Sequence, residues 1–258
     1  MTGARLPPTR EVLGFEIAVT TYEDQLTLID AMVAGGDKGY FCHAAVNTVM
    51  NARRMPRAAA AVRGATLTLP DGMPLVWALR ALGERIEDRI YGPDMMLLAC
   101  EHARARHFLY GGRDEDAARR LAESLRRRFP EIELAGRWTP PFRTLTAAEE
   151  RDVAERIDDS GADIVWVGTG SPRQEIWMRT MRDRIEAPVL IGVGAAFDIH
   201  SGMTRQAPAW MQRHGLEWLH RLSREPHRLG PRYLRDNPAF AAAFARQRLR
   251  ERRRGASR

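Results

Sequence analysis

Apolar positions along this chain fall into two alternating spacings. Short apolar or β-branched runs are followed by stretches with an apolar residue every three or four positions, the signature of strands alternating with amphipathic helices. The run over 12–20 predicts a strand, and 22–34 a helix that stops at Gly35 and Gly36. A short strand over 40–43 leads to a helix over 46–54, and a strand over 66–69 enters Pro70-Asp71-Gly72 before a helix over 74–82. A helix over 95–104 precedes a strand over 107–110, and Asp114 has the place of an N-cap for a helix reaching 129. Thr146 and Glu149 have capping-box spacing and open a helix to about 160. A buried-type strand over 163–167, a helix to about 185 and a last strand over 189–193 follow. From 207 the pattern is purely helical, with Pro226 and Pro231 as expected breaks.

This alternation predicts an α/β protein, a Rossmann-like parallel sheet covered by helices with a C-terminal helical basic appendage. The boundary is expected near Gly202, giving an α/β domain over 1–202 and an arginine-rich helical segment over 203–258. Charge sharpens that division. Residues 205–258 carry fourteen arginines against Glu217, Glu225, Asp236 and Glu251, a local +10 within a total of +7, which leaves the remainder near −3. Such a segment suits an anionic lipid surface, a phosphorylated substrate or nucleic acid, or is simply a solvated tail over 246–258. No apolar run is long enough to span a bilayer, residues 1–10 do not read as a signal peptide, and Cys42 and Cys100 alone give no disulfide framework, which together suit a reducing cytosol.

Candidate chemistry gathers where strands end, because ligands of open α/β sheets bind at the strands' carboxyl ends. Gly111-Gly112, Gly168-Thr169-Gly170 and Gly192-Val193-Gly194 are three glycine turns at such places, suited to close approach of a phosphate or to turn geometry alone. Neither a Walker loop nor the dinucleotide fingerprint is present. Asp71, held between Pro70 and Gly72, could take a proton from an attacking hydroxyl or simply close a turn, and Asp198 faces the same choice. Gln174 and Glu175, just after Pro172, could reach a ligand at a helix start, although an acid there is also favoured by the helix dipole. Arg89, followed by Tyr91-Gly92-Pro93-Asp94, could hold a phosphate or position a loop. Arg221, Arg224 and Arg228 share one helical face, and Trp218, Leu219 and Leu222 give the same helix an apolar side. The acidic run Asp114-Glu115-Asp116 is expected at a helix start, and no His/Cys cluster has zinc spacing, so no metal is expected.

In their order these pieces resemble the WecG/TagA/CpsF family of glycosyltransferases. The resemblance rests on Leu69-Pro70-Asp71-Gly72-Met73-Pro74-Leu75-Val76, on Arg89-Ile90-Tyr91-Gly92-Pro93-Asp94 and on Tyr110-Gly111-Gly112. It continues through Gly168-Thr169-Gly170-Ser171-Pro172-Arg173-Gln174-Glu175-Ile176-Trp177, then Gly192 to Asp198, then Ala207-Pro208. The helix 215–222 with Glu225-Pro226 completes it, so it covers nearly the whole chain. What the resemblance implies is inverting, metal-independent transfer from a UDP-sugar, often UDP-N-acetylmannosamine, to a saccharide on a polyprenyl diphosphate carrier in cell-surface polysaccharide synthesis. It gives Asp71 the role of general base and Arg89 and Gln174 roles in substrate binding. It makes the C-terminal helices a membrane-associating appendage at the inner face of the cell membrane. No cofactor beyond the UDP-sugar and no nucleic-acid partner is then expected, and symmetric self-association is the usual state of such domains. Two departures stand out. Where family members often carry Thr-Ala-Asn-x-His, this chain reads His43-Ala44-Ala45-Val46-Asn47, and Gln206 replaces an arginine that Arg205 stands beside. The alternatives these leave open are transfer of a different hexosyl or glucuronosyl group, or nucleotide-sugar binding without catalysis.

Overall fold

The computed structural model describes residues 5–102 and 104–255, without the side chains of Ala209 and Arg228. The chain opens with a hairpin, β1 (Thr9–Val12) and β2 (Phe15–Ala18), paired antiparallel with Val12 opposite Phe15. The single strand expected over 12–20 is therefore two. Leu13 and Gly14 take positive φ of 55° and 90°, which reverses the chain in two residues. A leucine in that conformation is uncommon, so the local sequence gave little warning. Next comes α1 (Tyr22–Gly35), capped reciprocally by Thr21 and Asp24 and closed at Gly36 in the left-handed region.

Strand β3 (Gly39–Ala44) leads through α2 (Val46–Arg54) and α3 (Pro56–Arg63) to β4 (Leu67–Pro70), and α4 (Met73–Ala81) and α5 (Gly92–His102) precede β5 (Arg106–Gly111). The helix α6 (Glu115–Arg128) starts on the predicted cap, Asp114 accepting from the Ala117 N–H, and leads to β6 (Glu133–Trp138). Then follow α7 (Ala147–Asp159), with the predicted Thr146–Glu149 capping box, β7 (Ile164–Gly168), α8 (Arg173–Met181), a 3-10 turn over Arg182–Arg184, β8 (Val189–Gly192) and α9 (Ala196–His200). Neither α3 nor β6 was predicted. The strand β6 is an edge strand of mixed exposure and lacks the alternation that marks a half-buried one.

Six strands form one parallel sheet in the order β4-β3-β8-β7-β5-β6. One face packs Phe41, Leu69, Leu109, Trp166 and Ile191 against α1, α5, α6 and α9, and the other packs Tyr40, Cys42, Val165 and Leu190 against α7 and α8. This is the doubly wound, Rossmann-like arrangement expected. A third cluster joins the hairpin, α2, α3 and α4. The chain leaves β3 for α2 in that third cluster and leaves β8 for α9 in the first, so the neighbouring carboxyl ends of β3 and β8 form a switch point, where such sheets form their ligand crevice.

After Gly202 come α10 (Ala209–Arg213), α11 (Glu217–Arg224) and α12 (Pro226–Gly255). Pro226 starts a helix as expected, but Pro231 does not end one, because α12 runs through both Pro231 and Pro238. Phe240 on α12 lies in the third cluster, and the buried Asp236 carboxylate pairs with Arg54 of α2 at 2.8 Å and with Arg235 at 2.9 Å. No described helix is long and apolar enough to cross a membrane.

Candidate functional site

Asp71 follows β4 directly, and its N–H donates to the Ala44 carbonyl, which fixes it at the carboxyl end of the β3–β4 pair. Its carboxylate does not close a local turn. Oδ1 accepts instead from the Gly92 N–H at 2.7 Å, the first residue of α5 and twenty-one positions away. A helix N-terminus stabilises an anion there. Burial nonetheless dominates, pushing the Asp71 pKa up to about 6 against the opposing pull of Arg89 and the Gly92 N–H. A carboxyl poised there is ionised at neutral pH and still basic enough to accept a proton.

The segment 89–94 is pinned from several sides. Ile90 N–H donates to Pro70 O, and the Tyr91 N–H donates to the Tyr22 hydroxyl at 2.8 Å. Arg89 is 8% exposed, lies 3.9 Å above the Tyr91 ring, and donates to Glu217 Oε2 at 2.7 Å and Gln212 Oε1 at 3.2 Å. The Tyr91 hydroxyl donates to Glu217 Oε1 at 2.6 Å. Burial works against the Arg89 charge, but Glu217 and Asp71 more than offset it and hold its pKa above the ordinary value. Asp94, in the first turn of α5, has its pKa raised by burial and has Gln206 and Arg89 beside it. Gln206, the departure noted above, thus faces an aspartate.

His43 sits at the end of β3 with Nδ1 3.1 Å from the Gly192 carbonyl. A carbonyl only accepts, so Nδ1 carries the proton and Nε2 is a bare acceptor. Burial lowers its pKa to about 4, which keeps the ring neutral. A Cβ at Gly92 would lie 3.5 Å from the His43 ring, so His43 and Asp71 meet at the same backbone residue. Gln174 packs on the β8 end. A Cβ at Gly192 would come within 3.1 Å of its Nε2, and one at Gly194 within 3.6 Å of its Oε1. Gln174 Nε2 donates to Glu175 Oε1 at 3.1 Å, and both residues are buried. Glu175 has its pKa pushed up to about 7 by burial, partly offset by its own N–H, Gln174 and Ser171.

The structure therefore gathers Asp71, Arg89, Gly92, His43, Gln174, Glu175 and Gly194 at the neighbouring carboxyl ends of β4, β3 and β8, with Asp94 and Arg221 at the margin. Other candidates stand apart. Gly111, at φ +145°, faces Gly168 so closely that a Cβ would lie 2.7 Å from the Gly168 carbonyl, so at this crossing glycine serves backbone packing. Gly112 N–H donates to Gly168 O, Gly170 takes φ +77°, and the Ser171–Pro172 peptide is cis. Asp198 pairs with Arg113 at 3.3 Å and, with Arg205, Glu217, Arg221 and Glu225, lines a small cleft between α9 and α11. Asn47 is partly buried in the first turn of α2, Arg205 and Arg224 are exposed, and the side chain of Arg228 lies outside the described residues. Glu217, Gln212 and Tyr22 were not singled out from sequence, and Tyr91 entered only as part of the 89–94 motif. Glu217 looked like one more acid in a helix, although an acid between tryptophan and leucine positions on an otherwise basic helix was a usable signal.

Residues 10–254 match the model of the glycosyl transferase WecG/TagA/CpsF family. An N-acetylglucosaminyldiphosphoundecaprenol N-acetyl-beta-D-mannosaminyltransferase of Bacillus spizizenii is 32% identical over 212 residues, 81% of this chain and 76% of the relative. An enzyme of the same name from Bacillus subtilis is 32% identical over 163 residues, 62% of this chain and 61% of the relative.

Proposed function

The chain belongs to the WecG/TagA/CpsF glycosyltransferase family, and on that premise we propose that it moves a sugar from a UDP-sugar to a saccharide carried on a polyprenyl diphosphate. The Bacillus relatives are named for transfer of N-acetylmannosamine to N-acetylglucosaminyldiphosphoundecaprenol, and that acceptor class is the one proposed here. The observation that carries the reading is the Asp71 carboxylate, fixed by the Gly92 N–H at the strand ends with its pKa near 6.

The reaction is a single displacement. The acceptor hydroxyl oxygen attacks the anomeric carbon and a new C–O bond forms as the bond to UDP breaks, its electron pair leaving on the diphosphate. Asp71 takes the hydroxyl proton, and the anomeric configuration inverts because attack and departure lie on opposite faces. Charge developing on the diphosphate requires preorganised donors. Amides of the Gly194 turn and the arginines Arg89 and Arg221 are the proposed donors, and the proposed chemistry invokes no metal. The donor sugar is N-acetylmannosamine or a related hexose, with His43 in place of the usual threonine as the feature bearing on that choice. An exposed apolar margin on α10 and α11 among arginines supports work at the surface of a membrane that holds the acceptor.

The test is release of UDP from UDP-N-acetylmannosamine, UDP-N-acetylglucosamine, UDP-glucose and UDP-glucuronic acid on adding undecaprenyl diphosphate N-acetylglucosamine. At least one donor turns over. Asp71→Asn lowers kcat by about 10²–10⁴-fold while the chain still unfolds in one cooperative thermal transition, no lower than that of wild type. Turnover close to wild type in that variant removes Asp71 from the role, and UDP release from no donor removes the transferase reading for these substrates.

A further inference from the structure

Glu217 reaches the crevice from α11, more than a hundred residues beyond the groups it touches. Its two carboxylate oxygens are each engaged, Oε2 by Arg89 at 2.7 Å and Oε1 by the Tyr91 hydroxyl at 2.6 Å, and the residue is 8% exposed. Arg89 is held further by Gln212, which itself donates to the Ala207 carbonyl at 2.7 Å. Both Arg89 and Tyr91 belong to the short segment whose next residue, Gly92, donates to Asp71. A surface helix would not need a buried, doubly bonded carboxylate of this kind, and removing one partner of a buried pair leaves the other uncompensated.

From this chain of contacts we propose that Glu217 is a positioning residue of the active site, through which docking of α11 fixes the Arg89–Gly92 segment and sets the ionisation of Asp71. The proposal rests on Asp71 acting as the general base. The groups around Asp71 are Arg89, Tyr91 and Asp94 on the pinned segment, Tyr22 on α1, His43 on β3, and Glu217 and Arg221 on α11. Among these, Glu217 raises the Asp71 pKa while Arg89 and Arg221 lower it. Glu217 therefore acts on Asp71 twice, through its own charge and by neutralising Arg89. The C-terminal segment is in this way part of the base's environment as well as a covering for the crevice.

The experiment is the pH profile of kcat/KM for UDP release by the full chain, using the best donor of the four UDP-sugars and undecaprenyl diphosphate N-acetylglucosamine. Wild type falls on the acid side with an apparent pKa near 6, and Asp71→Asn removes that limb. Glu217→Gln, nearly isosteric, moves the limb to lower pH by half a unit or more and lowers kcat. Glu217→Asp, which keeps the charge, restores the limb while kcat stays low. Arg89→Gln moves the limb the other way, because Asp71 loses a cation and Glu217 loses its counterion, and this variant carries the test should Glu217→Gln fail to fold. A Glu217→Gln profile merely scaled down, with its limb in place, overturns the proposal and leaves Glu217 a structural contact, as does an Arg89→Gln limb that stays still. An acid limb that persists in Asp71→Asn assigns it to another group and ends the general-base reading instead.

Discussion

Glu175 lies one residue past Gln174, buried, with its pKa pushed up to about 7 from an ordinary 4.5. The sign of its effect on stability follows directly. Between these two values the folded chain holds a proton that the unfolded chain has released, so the Glu175 contribution falls as pH rises from about 4.5 to about 7 and is level beyond. Asp71, raised from 3.8 to about 6, acts in the same direction. Glu175→Gln keeps the neutral shape without the proton. It is expected to gain about 3 kcal/mol over wild type at pH 8, at roughly 1.4 kcal/mol per pKa unit, and almost nothing at pH 4.5. Urea unfolding of both chains at the two pH values measures this, and an equal difference at both would refute it. Legibility at this scale was uneven. Asp71, between a strand, Pro70 and Gly72, could locally be either a proton acceptor or a turn residue, because its partner Gly92 is brought in by α5 and could not be read locally. Glu217 gave still less, since its role depends on how α11 docks on a segment more than a hundred positions away.

At the scale of elements, the sequence predicted best where a helix carries its own start. Thr21, Asp114 and Thr146 each cap the helix that follows, and two of them form full capping boxes. The helix expected over 46–54 coincides with α2 (Val46–Arg54). Prediction failed where long-range packing overrides local chemistry, and α12 is the clearest case. Pro231 and Pro238 are seven residues apart, so they share one helical face, and both are exposed. The carbonyls they leave unbonded, those of His227 and Leu234, belong to exposed residues on the same side, where water can satisfy them. Meanwhile the opposite face carries Leu229, Asp236 and Phe240 into the protein. Burial on that face outweighs two missing hydrogen bonds. Phe240 lies 5% exposed among Val12, Phe15, Val49 and Leu75, stacked on Phe244. Phe240→Ala is accordingly expected to cost about 3–5 kcal/mol and to lower the urea midpoint of the whole chain. An unchanged midpoint would mean that α12 adds nothing to the stability of the body it rests on.

For the whole molecule, charge and apolar exposure coincide on α10 and α11. Trp210, Trp218 and Leu219 are between 39% and 54% exposed on α10 and α11, and Trp77 of α4, 48% exposed, adjoins them. A Cβ on Gly215, in the link between α10 and α11, would lie 2.9 Å from the Trp77 ring, so the apolar margin continues across both parts of the chain. The same two helices carry Arg213, Arg221 and Arg224, and Arg205 shortly precedes them, within the segment where fourteen arginines outnumber four acids. Tryptophans flanked by arginine match a bilayer interface, where rings settle at headgroup depth and each basic side chain near an anionic surface contributes on the order of 1 kcal/mol. The full chain is therefore expected to sediment with phosphatidylglycerol-containing vesicles at low salt and to be released as salt screens the charge. Truncation near Gly202 would be a poor test, because it also removes Phe240 and Glu217 from the body they support. The Trp218→Glu/Leu219→Glu double variant is better suited, as both side chains are substantially exposed. It should lower partitioning on the order of tenfold or more, since two apolar side chains are withdrawn from the interface and two like charges meet an anionic surface. If the variant sediments as wild type does, the arginines alone bring the chain to the bilayer and the tryptophan margin faces something else.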